Sequence, residues 1–202
     1  MFNPEIICIT QSSLFDNISE FLNQTEKICK GNINRIILRE KHLTESEYFK
    51  LAVEVKNICI KYNIPFTVHN FLDIAENLEC EYFHCPFSLL KDNINRFKYT
   101  GVSVHSESEA RNAEKLGAFY ITAGHVFETQ CKAGLKPRGT DFINQICNSV
   151  NIPVYAIGGI NSENIYLLKD TGIKGVCLMS SLMKSENPEK YIEELKINMA
   201  DC

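Results

Sequence analysis

The chain has 202 residues, of which 45% are hydrophobic and 23% charged, with a formal net charge of −4. This composition is typical of a globular protein and excludes a disordered or fibrous one. The Lys and Arg residues are scattered, so we expect no nucleic-acid partner. No apolar run approaches the length of a membrane-spanning helix, and the first residues lack a signal-peptide pattern. We therefore expect a cytoplasmic protein with no membrane partner.

Short apolar runs alternate with longer segments of helical periodicity along the chain. We expect strands at Ile6–Thr10, Arg35–Arg39, Phe66–Val68, Tyr82–Cys85, Gly101–Val104, Phe119–Ala123, Val154–Ile157 and Gly175–Met179. We expect helices at Phe15–Lys30, Thr44–Tyr62, Leu72–Leu78, Leu89–Phe97, 107–116, 140–150, 162–170 and 188–199. The capping-box patterns that begin at Thr44 and at Ser106 predict the start of two of these helices.

The predicted strands are too uniformly apolar for a sheet with one face in water. Alternating strands and helices with buried strands are typical of a parallel sheet covered by helices. Eight such units over residues 1–202 predict a (β/α)8 TIM barrel that forms a single domain. An open doubly wound sheet is the alternative, but no GxGxxG pattern follows the first strand.

The nine cysteines are unusual in number. They lie at Cys8, Cys29, Cys59, Cys80, Cys85, Cys131, Cys147, Cys177 and Cys202. No two of them form a CxxC pair, which argues against a zinc site, and a disulfide framework is not expected without a secretory signal. We expect most of them to be small buried hydrophobic residues.

Two glycines and two serines follow the last two predicted strands. Gly158 and Gly159 close the seventh strand, and Ser180 and Ser181 close the eighth. Barrels often bind phosphate at this point, where main-chain N–H groups and the start of a short helix face the anion. Glycine permits the close approach of main chain to phosphate. We therefore expect a phosphate site here; the alternative is a tight turn followed by a helix cap.

Arg39 and Lys41 lie at the end of the second predicted strand. Side chains alternate along a strand, so both share a direction with Ile37 and should point into the barrel mouth. Two cations there suit a carboxylate or a second phosphate, which Arg can grip with two hydrogen bonds. The alternative is a solvated surface run before a helix.

His125 begins a long segment, 125–139, that has no apolar periodicity. A loop of this length is typical of a functional lid. His125 matches Ile121 and Ala123 in parity, and we expect it to point into the mouth. Histidine titrates near neutral pH, so the residue is a candidate acid–base group. A structural histidine is the alternative.

The other four histidines are weaker candidates. His69 and His84 end the third and fourth strands, so either could line the mouth. His42 precedes a predicted helix start and His105 is followed by one, which favours structural roles for both. The sequence contains no Ser-His-Asp order and no nucleophile elbow.

Several segments together resemble the thiamine-phosphate synthase/TenI superfamily over residues 5–195. They are LREKHLT (38–44), FTVHNFLDIA (66–75), GVSVHSESEA (101–110), GHVFETQCKAGLKPRG (124–139), IPVYAIGGINSENI (152–165) and GVCLMSSL (175–182). Within the superfamily, the 124–139 segment resembles the TenI branch, the thiazole tautomerases. The synthases usually read GPxFPT where this chain reads GHVFET.

The resemblance to the tautomerases implies a cofactor-free isomerase of thiamine biosynthesis. The implied substrate is the non-aromatic tautomer of carboxythiazole phosphate, and His125 is the implied catalytic residue. The implied substrate-binding residues are Arg39, Lys41, Ser103, Thr129, Lys132, Gly158, Gly159, Ser180 and Ser181. His69 and Asn70 are candidates for lining the mouth beside them.

The chain departs from the synthases at their magnesium site. Synthases carry an aspartate after strand three and a second acid after strand four, whereas His69-Asn70 and Cys85–Leu89 contain no carboxylate. Ile37 also replaces a synthase glutamine. Because carboxylates hold Mg²⁺, we expect no metal site. Magnesium would be required only if the chain were a synthase.

Two other functions remain as alternatives at this point. One is thiamine-phosphate synthase, which joins hydroxymethylpyrimidine pyrophosphate to thiazole phosphate. The other is a regulatory protein that binds a phosphorylated ligand without catalysis. The sequence does not determine the oligomeric state, but dimers are common among such barrels and we expect a homodimer.

Overall fold

Eight parallel strands close into a barrel in chain order. The computed structural model describes residues 4–132 and 134–200. The strands are β1 (Glu5–Ile9), β2 (Arg35–Leu38), β3 (Phe66–His69), β4 (Tyr82–Pro86), β5 (Tyr99–Val104), β6 (Tyr120–Gly124), β7 (Val154–Ile157) and β8 (Gly175–Leu178). Pairing of β1 with both β2 and β8 closes the ring. The predicted (β/α)8 barrel is confirmed.

Helices cover the outside of this barrel. They are α1 (Ile18–Lys30), α2 (Glu45–Lys61), α3 (Leu72–Asn77), α4 (Leu90–Asn93), α5 (Glu107–Leu116), α6 (Gly139–Ser149), α7 (Ser180–Met183) and α8 (Pro188–Met199). Short 3-10 turns lie at Ser12–Leu14, Phe87–Leu89, Gln130–Lys132 and Ile165–Leu168. No described helix is both long enough and apolar enough to cross a membrane.

Both faces of the strands are buried, which explains their uniformly apolar sequences. One face packs on the helices, in a large core cluster that includes Ile121 and Ala123. The other face fills the barrel interior, where the buried hydrophobic residues are Ile7, Ile9, Ile37, Tyr120, Tyr155 and Cys177. A parallel strand covered on both sides has no wet face and therefore shows no polar alternation.

The predicted caps are formed, with one difference in detail. At Thr44, the side chain accepts from the main-chain N–H of Glu47, whose carboxylate accepts from Thr44 in return. The side chain of Ser106 accepts from the N–H of Glu109. The carboxylate of Glu109, however, accepts from the N–H of His105 at 2.6 Å and not from Ser106. The helix start is the same in both cases.

Two predicted helices are shorter than expected. The segment 162–170 contains only the 3-10 turn Ile165–Leu168. The reason lies in the side chain of Asn161, which accepts from the main chain at Glu163, while Asn164 accepts from Asn161. Such local bonds compete with helical ones. The stretch Leu89–Phe97 likewise forms only one turn of helix, α4.

The floor of the barrel, at the amino ends of the strands, holds a buried arginine. Arg35 is 5% exposed, and its guanidinium lies 4.5 Å from the ring centres of both Tyr82 and Tyr120. Its Nη2 lies 3.5 Å from the hydroxyl of Tyr155, which donates to Glu5 at 2.6 Å. Cation–π contact and the hydrogen bond to Tyr155 offset much of the cost of the buried charge, although Nη1 has no hydrogen-bond partner among the described residues.

The cysteines of the described segments serve mainly as packing residues. Five of the seven whose side chains are described are buried, namely Cys8, Cys29, Cys59, Cys85 and Cys177. Burial raises the pKa of the Cys177 thiol to about 12, which keeps it protonated. The expectation for Cys202 and for the side chain of Cys131 lies outside the described residues.

Candidate active site

A cavity of about 540 Å³ opens at the carboxyl ends of the strands. Of the residues predicted from the sequence, it is lined by Arg39, Lys41, His69, Asn70, Ser103, His125, Thr129, Lys132, Gly158, Gly159 and Ser180. Ser181 is not among the lining residues. Its hydroxyl donates to the carbonyl of Ile160 at 3.1 Å, so it supports the loop after β7.

Three cations gather on one side of this cavity. Arg39 and Lys41 follow β2, and Lys132 comes from the loop after β6. The charge of Arg39, followed by burial and the charge of Lys132, lowers the pKa of Lys41. Within the described segments, no carboxylate lies within ion-pair distance of any of the three. An anionic ligand bound here would reduce the repulsion between these three positive charges.

Glu40 stands between two of these cations but points away from them. It is 2% exposed and accepts from the hydroxyls of Thr10 and Ser12 at 2.5 and 2.8 Å. The hydroxyl of Thr10 in turn accepts from the main-chain N–H of Arg39 at 3.1 Å. Glu40 therefore ties the end of β1 to the end of β2 and positions Arg39 at the mouth.

His125 lines the cavity, but not for the reason that strand parity suggested. Ile121 and Ala123 face the helices, whereas Tyr120 packs in the barrel interior. A residue in register with Ile121 would therefore point outward. His125 reaches the cavity because β6 ends at Gly124 and the chain then leaves the sheet. The placement was correct and the argument for it was wrong.

The two glycines after β7 allow that loop to pack against the loop after β6. A Cβ on Gly158 would lie 2.5 Å from the Cβ of His125, and one on Gly159 would lie 2.3 Å from the carbonyl oxygen of Glu128. Both glycines also have positive φ, +103° and +70°. A side chain at Gly159 would therefore displace the loop that carries His125, and would not simply fill an anion position as the sequence suggested.

A buried hydrogen-bond network forms part of the cavity wall. His84 is 3% exposed. Its Nδ1 lies 3.0 Å from the hydroxyl of Tyr120, and its Nε2 lies 2.9 Å from that of Ser103. The hydroxyl of Thr122 donates to Ser103 at 3.1 Å. From the sequence, His84 was only a weak candidate for lining the mouth, and Thr122 was not predicted at all. Thr122 lies two residues after Tyr120 on β6, so alternation along the strand could have placed it in the interior.

The remaining histidines differ from one another. His69 lines the cavity, and its ring stacks on that of His84 with 5.6 Å between centres. His105, for which a structural role was expected, also lines the cavity, and its Nδ1 lies 3.3 Å from the carbonyl of Gly124. His42 is exposed, does not line the cavity and lies 3.4 Å from Ser12, in keeping with the structural role expected for it.

Residues 6–182 match the family described as thiamine monophosphate synthase. The chain belongs to this family. It is 33% identical over 187 residues to the thiamine-phosphate synthase of Fusobacterium nucleatum subsp. nucleatum, covering 90% of this chain and 91% of the relative. It is 35% identical over 181 residues to the thiamine-phosphate synthase of Methanobrevibacter smithii, covering 87% of each.

Solved structures agree with this assignment. The thiamine phosphate pyrophosphorylase of Pyrococcus furiosus superposes with a TM-score of 0.83 at 28% identity, covering 96% of this chain and 95% of the other. A 3-hexulose-6-phosphate synthase superposes with a TM-score of 0.73 at 15% identity, covering 97% of this chain and 100% of that one, and shares the fold. The chain is thus a member of an enzyme family of thiamine biosynthesis. The names of the relatives favour the synthase over the tautomerase that the 124–139 segment suggests.

The residues of the cavity do not fit the magnesium ion of a synthase. Mg²⁺ is normally held by one or two carboxylates together with substrate phosphates. Among the described lining residues, Glu40 is the only carboxylate, and its oxygens are bonded to Thr10 and Ser12. Asn70, directly after β3, also lines the cavity, and its side chain is a neutral amide. No described cluster of three His, Cys, Asp or Glu residues could hold a metal.

Proposed function

We propose that this protein is a thiazole tautomerase, which converts the non-aromatic tautomer of carboxythiazole phosphate into the aromatic carboxythiazole phosphate. One observation carries the proposal. The cavity offers unpaired cations and a histidine on a fixed loop, but among its described lining residues no carboxylate is free to hold a metal. That combination suits proton transfer on a doubly anionic ligand better than the departure of a pyrophosphate.

The phosphate would bind beside Gly158, Gly159 and Ser180. Both glycines have positive φ, which allows a tight loop after β7. Main-chain hydrogen bonds join this loop to the loop after β6. Ser180 also lines the cavity, at the start of α7 after β8, the strand that pairs with β7. Main-chain N–H groups and a hydroxyl in a rigid loop are suitable donors for a phosphate.

The carboxylate would bind beside Arg39 and Lys41. A carboxylate accepts two parallel hydrogen bonds from a guanidinium, which makes Arg39 the stronger candidate of the two. Lys132 and Thr129 come from the loop after β6 and would close over the ligand from above. Neutralising the repulsion between Arg39, Lys41 and Lys132 would contribute to binding.

His125 would move the proton. The reaction breaks one C–H bond on the ring and forms another on the exocyclic carbon, and the gain of aromaticity drives it forward. A positioned acid–base group is therefore sufficient, and a metal is not required. The loops that hold His125 are tied by hydrogen bonds from Val126 to Ile157 and from Phe127 to Gly158, at 3.0 and 2.9 Å.

The second candidate function is thiamine-phosphate synthase. This function is supported by the two relatives described above, from Fusobacterium nucleatum and Methanobrevibacter smithii, both of which are named thiamine-phosphate synthase. It requires that the enzyme activate a pyrophosphate leaving group without the usual carboxylates. A low synthase activity, supported by Arg39, Lys41 and Lys132 in place of the acids, would be the form compatible with this cavity.

Purified protein should be assayed for both reactions, each with excess Mg²⁺ and with EDTA. We expect tautomerase turnover that EDTA leaves essentially unchanged, and no efficient formation of thiamine phosphate. Magnesium-dependent synthase turnover without tautomerase activity would replace the proposal with the second candidate. Tight binding of the product with neither activity would indicate a regulatory protein instead.

Crystals grown with carboxythiazole phosphate would test the orientation of the ligand. We expect the phosphate at the loop of Gly158 and Gly159, and the carboxylate at Arg39. The reverse orientation, or a phosphate elsewhere in the cavity, would show that the assignment of the two anion sites is wrong.

A further inference from the structure

His69 is a cavity residue to which the proposal above gives no task. It is the last residue of β3, and no other described residue hydrogen-bonds to its ring. Burial, followed by the charges of Arg39 and Lys41, lowers the pKa of His69 to about 4. Leu38 lies opposite Val68 in the β2–β3 pair, so Arg39 and His69 follow their strands side by side, and both line the cavity.

His84 holds this ring in place. The hydroxyl of Tyr120 is buried, and its acceptor among the described residues is Nδ1 of His84. A buried hydroxyl donates wherever an acceptor is in reach, so Nδ1 accepts, and Nε2 of His84 carries the hydrogen and donates to Ser103. Both nitrogens of His84 are thereby occupied. The ring serves as a fixed, neutral surface on which His69 stacks at an interplanar angle of 24°.

His69 and His125 come from strands that are three positions apart in the ring of eight, since His69 ends β3 and His125 follows β6. His69 is beside Arg39, because Leu38 lies opposite Val68 in the β2–β3 pair. His125 is beside Gly158, where an added Cβ would contact it directly. If the proposed function holds, the carboxylate of the ligand binds beside Arg39 and Lys41, and its phosphate binds beside Gly158. Each imidazole is therefore close to a different carbon of the substrate.

We propose that His69 is a second catalytic residue, the base that removes the proton from the ring carbon that carries the carboxylate. This inference rests on the proposed tautomerase function. The C–H bond at that carbon breaks, its electron pair moves through the ring to the exocyclic double bond, and a new C–H bond forms there with a proton from protonated His125. His69 ends protonated and His125 neutral, and exchange with water restores both.

The ligand itself improves the base. Facing His69 are Arg39 and Lys41 from the end of β2 and the neutral His84 from β4. A bound carboxylate neutralises the two cations and places a negative charge near the imidazole. Because an opposite charge favours the protonated form, the pKa of His69 should rise toward its ordinary range when the substrate binds. His69 would therefore become basic enough to accept the proton only when the substrate is bound.

The first test compares the turnover of His69→Asn with that of His42→Asn, a matched change at an exposed histidine outside the cavity. We expect His69→Asn to lower kcat by roughly 10²- to 10⁴-fold with product affinity within about threefold of wild type. His42→Asn should be unchanged. His69→Gln serves as a second variant if the first folds poorly. An active wild type with an equally active His69→Asn would overturn the inference, whereas an inactive wild type would overturn the proposed function.

The second test follows the hydrogen that is transferred. Substrate labelled with deuterium at the ring carbon is converted in ordinary water, and the product is analysed by mass spectrometry. If His69 removes the deuteron and His125 delivers a different proton, the new hydrogen on the exocyclic carbon comes from solvent. The label is then lost from the product. Appearance of the label at the exocyclic carbon would mean that one group carries the proton between both positions, and would overturn the assignment of His69.

The third test needs no turnover. The titration of His69 is followed by ¹⁵N NMR in the free protein, with inorganic phosphate, and with carboxythiazole phosphate. We expect carboxythiazole phosphate to raise the pKa of His69 clearly and inorganic phosphate to have little effect. An unchanged pKa in the presence of bound carboxythiazole phosphate would place the carboxylate away from His69 and overturn the inference, whatever the catalytic activity.

Discussion

Two arginines, one at each end of β2, differ in how the barrel accommodates their charge. Arg35 begins β2 and Arg39 follows its end, and both lie on its interior side. Arg35, at the floor, is enclosed by aromatic rings and linked through Tyr155 to Glu5. Arg39, at the mouth, has no carboxylate partner within the described residues. The charge at the floor is compensated within the protein, and the charge at the mouth is left for a ligand.

Charge inside a barrel is therefore not by itself evidence of a ligand site. A buried cation without partners would be costly, so the floor supplies aromatic rings and a linked carboxylate. A cation at the mouth keeps access to water and can remain unpaired at little cost. Function is therefore indicated by the charge that the fold leaves without a partner, not by the charge that it buries.

The largest expected effect lies at the mouth, with His125→Asn. This change should lower the catalysed rate of tautomerisation by roughly 10²- to 10⁴-fold, the usual contribution of a positioned acid–base group. Steady-state kinetics, corrected for any uncatalysed aromatisation, measures the effect. Product affinity and the far-UV circular dichroism spectrum should match those of wild type. Turnover within about threefold of wild type would make His125 a structural residue.

At the floor, Arg35→Ala should affect stability and not chemistry. Loss of this buried side chain leaves a cavity among three tyrosines and should cost about 3 kcal/mol of unfolding free energy. Arg39→Ala should cost less than about 0.5 kcal/mol, as is usual for a surface change. Denaturation with urea measures both. Arg35→Met refills most of the volume and should lose less than about 1.5 kcal/mol; equal losses for Arg35→Ala and Arg39→Ala would contradict the comparison.

Arg39→Ala should instead weaken ligand binding. Loss of a charged hydrogen-bond donor costs about 1.5–3 kcal/mol, which corresponds to roughly a 10- to 100-fold rise in the Kd of carboxythiazole phosphate. Isothermal titration calorimetry at low and high salt should also show a smaller salt dependence for the variant, because one cation is missing. Arg35→Met should bind as wild type does. A Kd unaffected by Arg39→Ala would remove this residue from the site.

The smallest expected effect concerns the loop after β6. Residues 128–130, 132 and 134–138 are mostly exposed, and main-chain hydrogen bonds described there include one from Lys132 to Thr129 and one from Arg138 to His125. We expect carboxythiazole phosphate to slow amide hydrogen exchange in this segment, because loop closure excludes water from the reaction. Amides of the strands should serve as an unchanged reference. Identical exchange with and without the ligand would contradict a lid.

Many residues of the mouth could be predicted because the end of a barrel strand is visible in the sequence, where an apolar run stops. Arg39 stands directly after four buried residues of β2, and Gly158 follows four residues of β7. Only the carboxyl ends of the strands reach the mouth, so residues at these positions must lie near it. The same logic failed for His125, because parity holds only within a strand and β6 had already ended at Gly124.

The roles of individual residues were harder to predict than their positions. Ser181 was expected to bind phosphate, yet its hydroxyl donates to Ile160. At Gly159, the nearest atom to an added Cβ is the carbonyl oxygen of Glu128, a close approach of main chain that the sequence did not indicate. In both cases the partner comes from a different loop, and nothing in the local sequence indicates which loops touch.

The amino-acid sequence alone was enough to predict the barrel, the order of its strands and the carboxyl ends of those strands to within one residue. The physical reason is local: a strand covered on both faces must be apolar throughout, and a helix must show a start signal and a periodic face. Only the tertiary structure decided which polar groups have partners. Arg35 is enclosed by tyrosines from β4, β6 and β7, and His84 is held by β5 and β6. These contacts depend on the register of strands far apart in the chain, so they are absent from any local pattern.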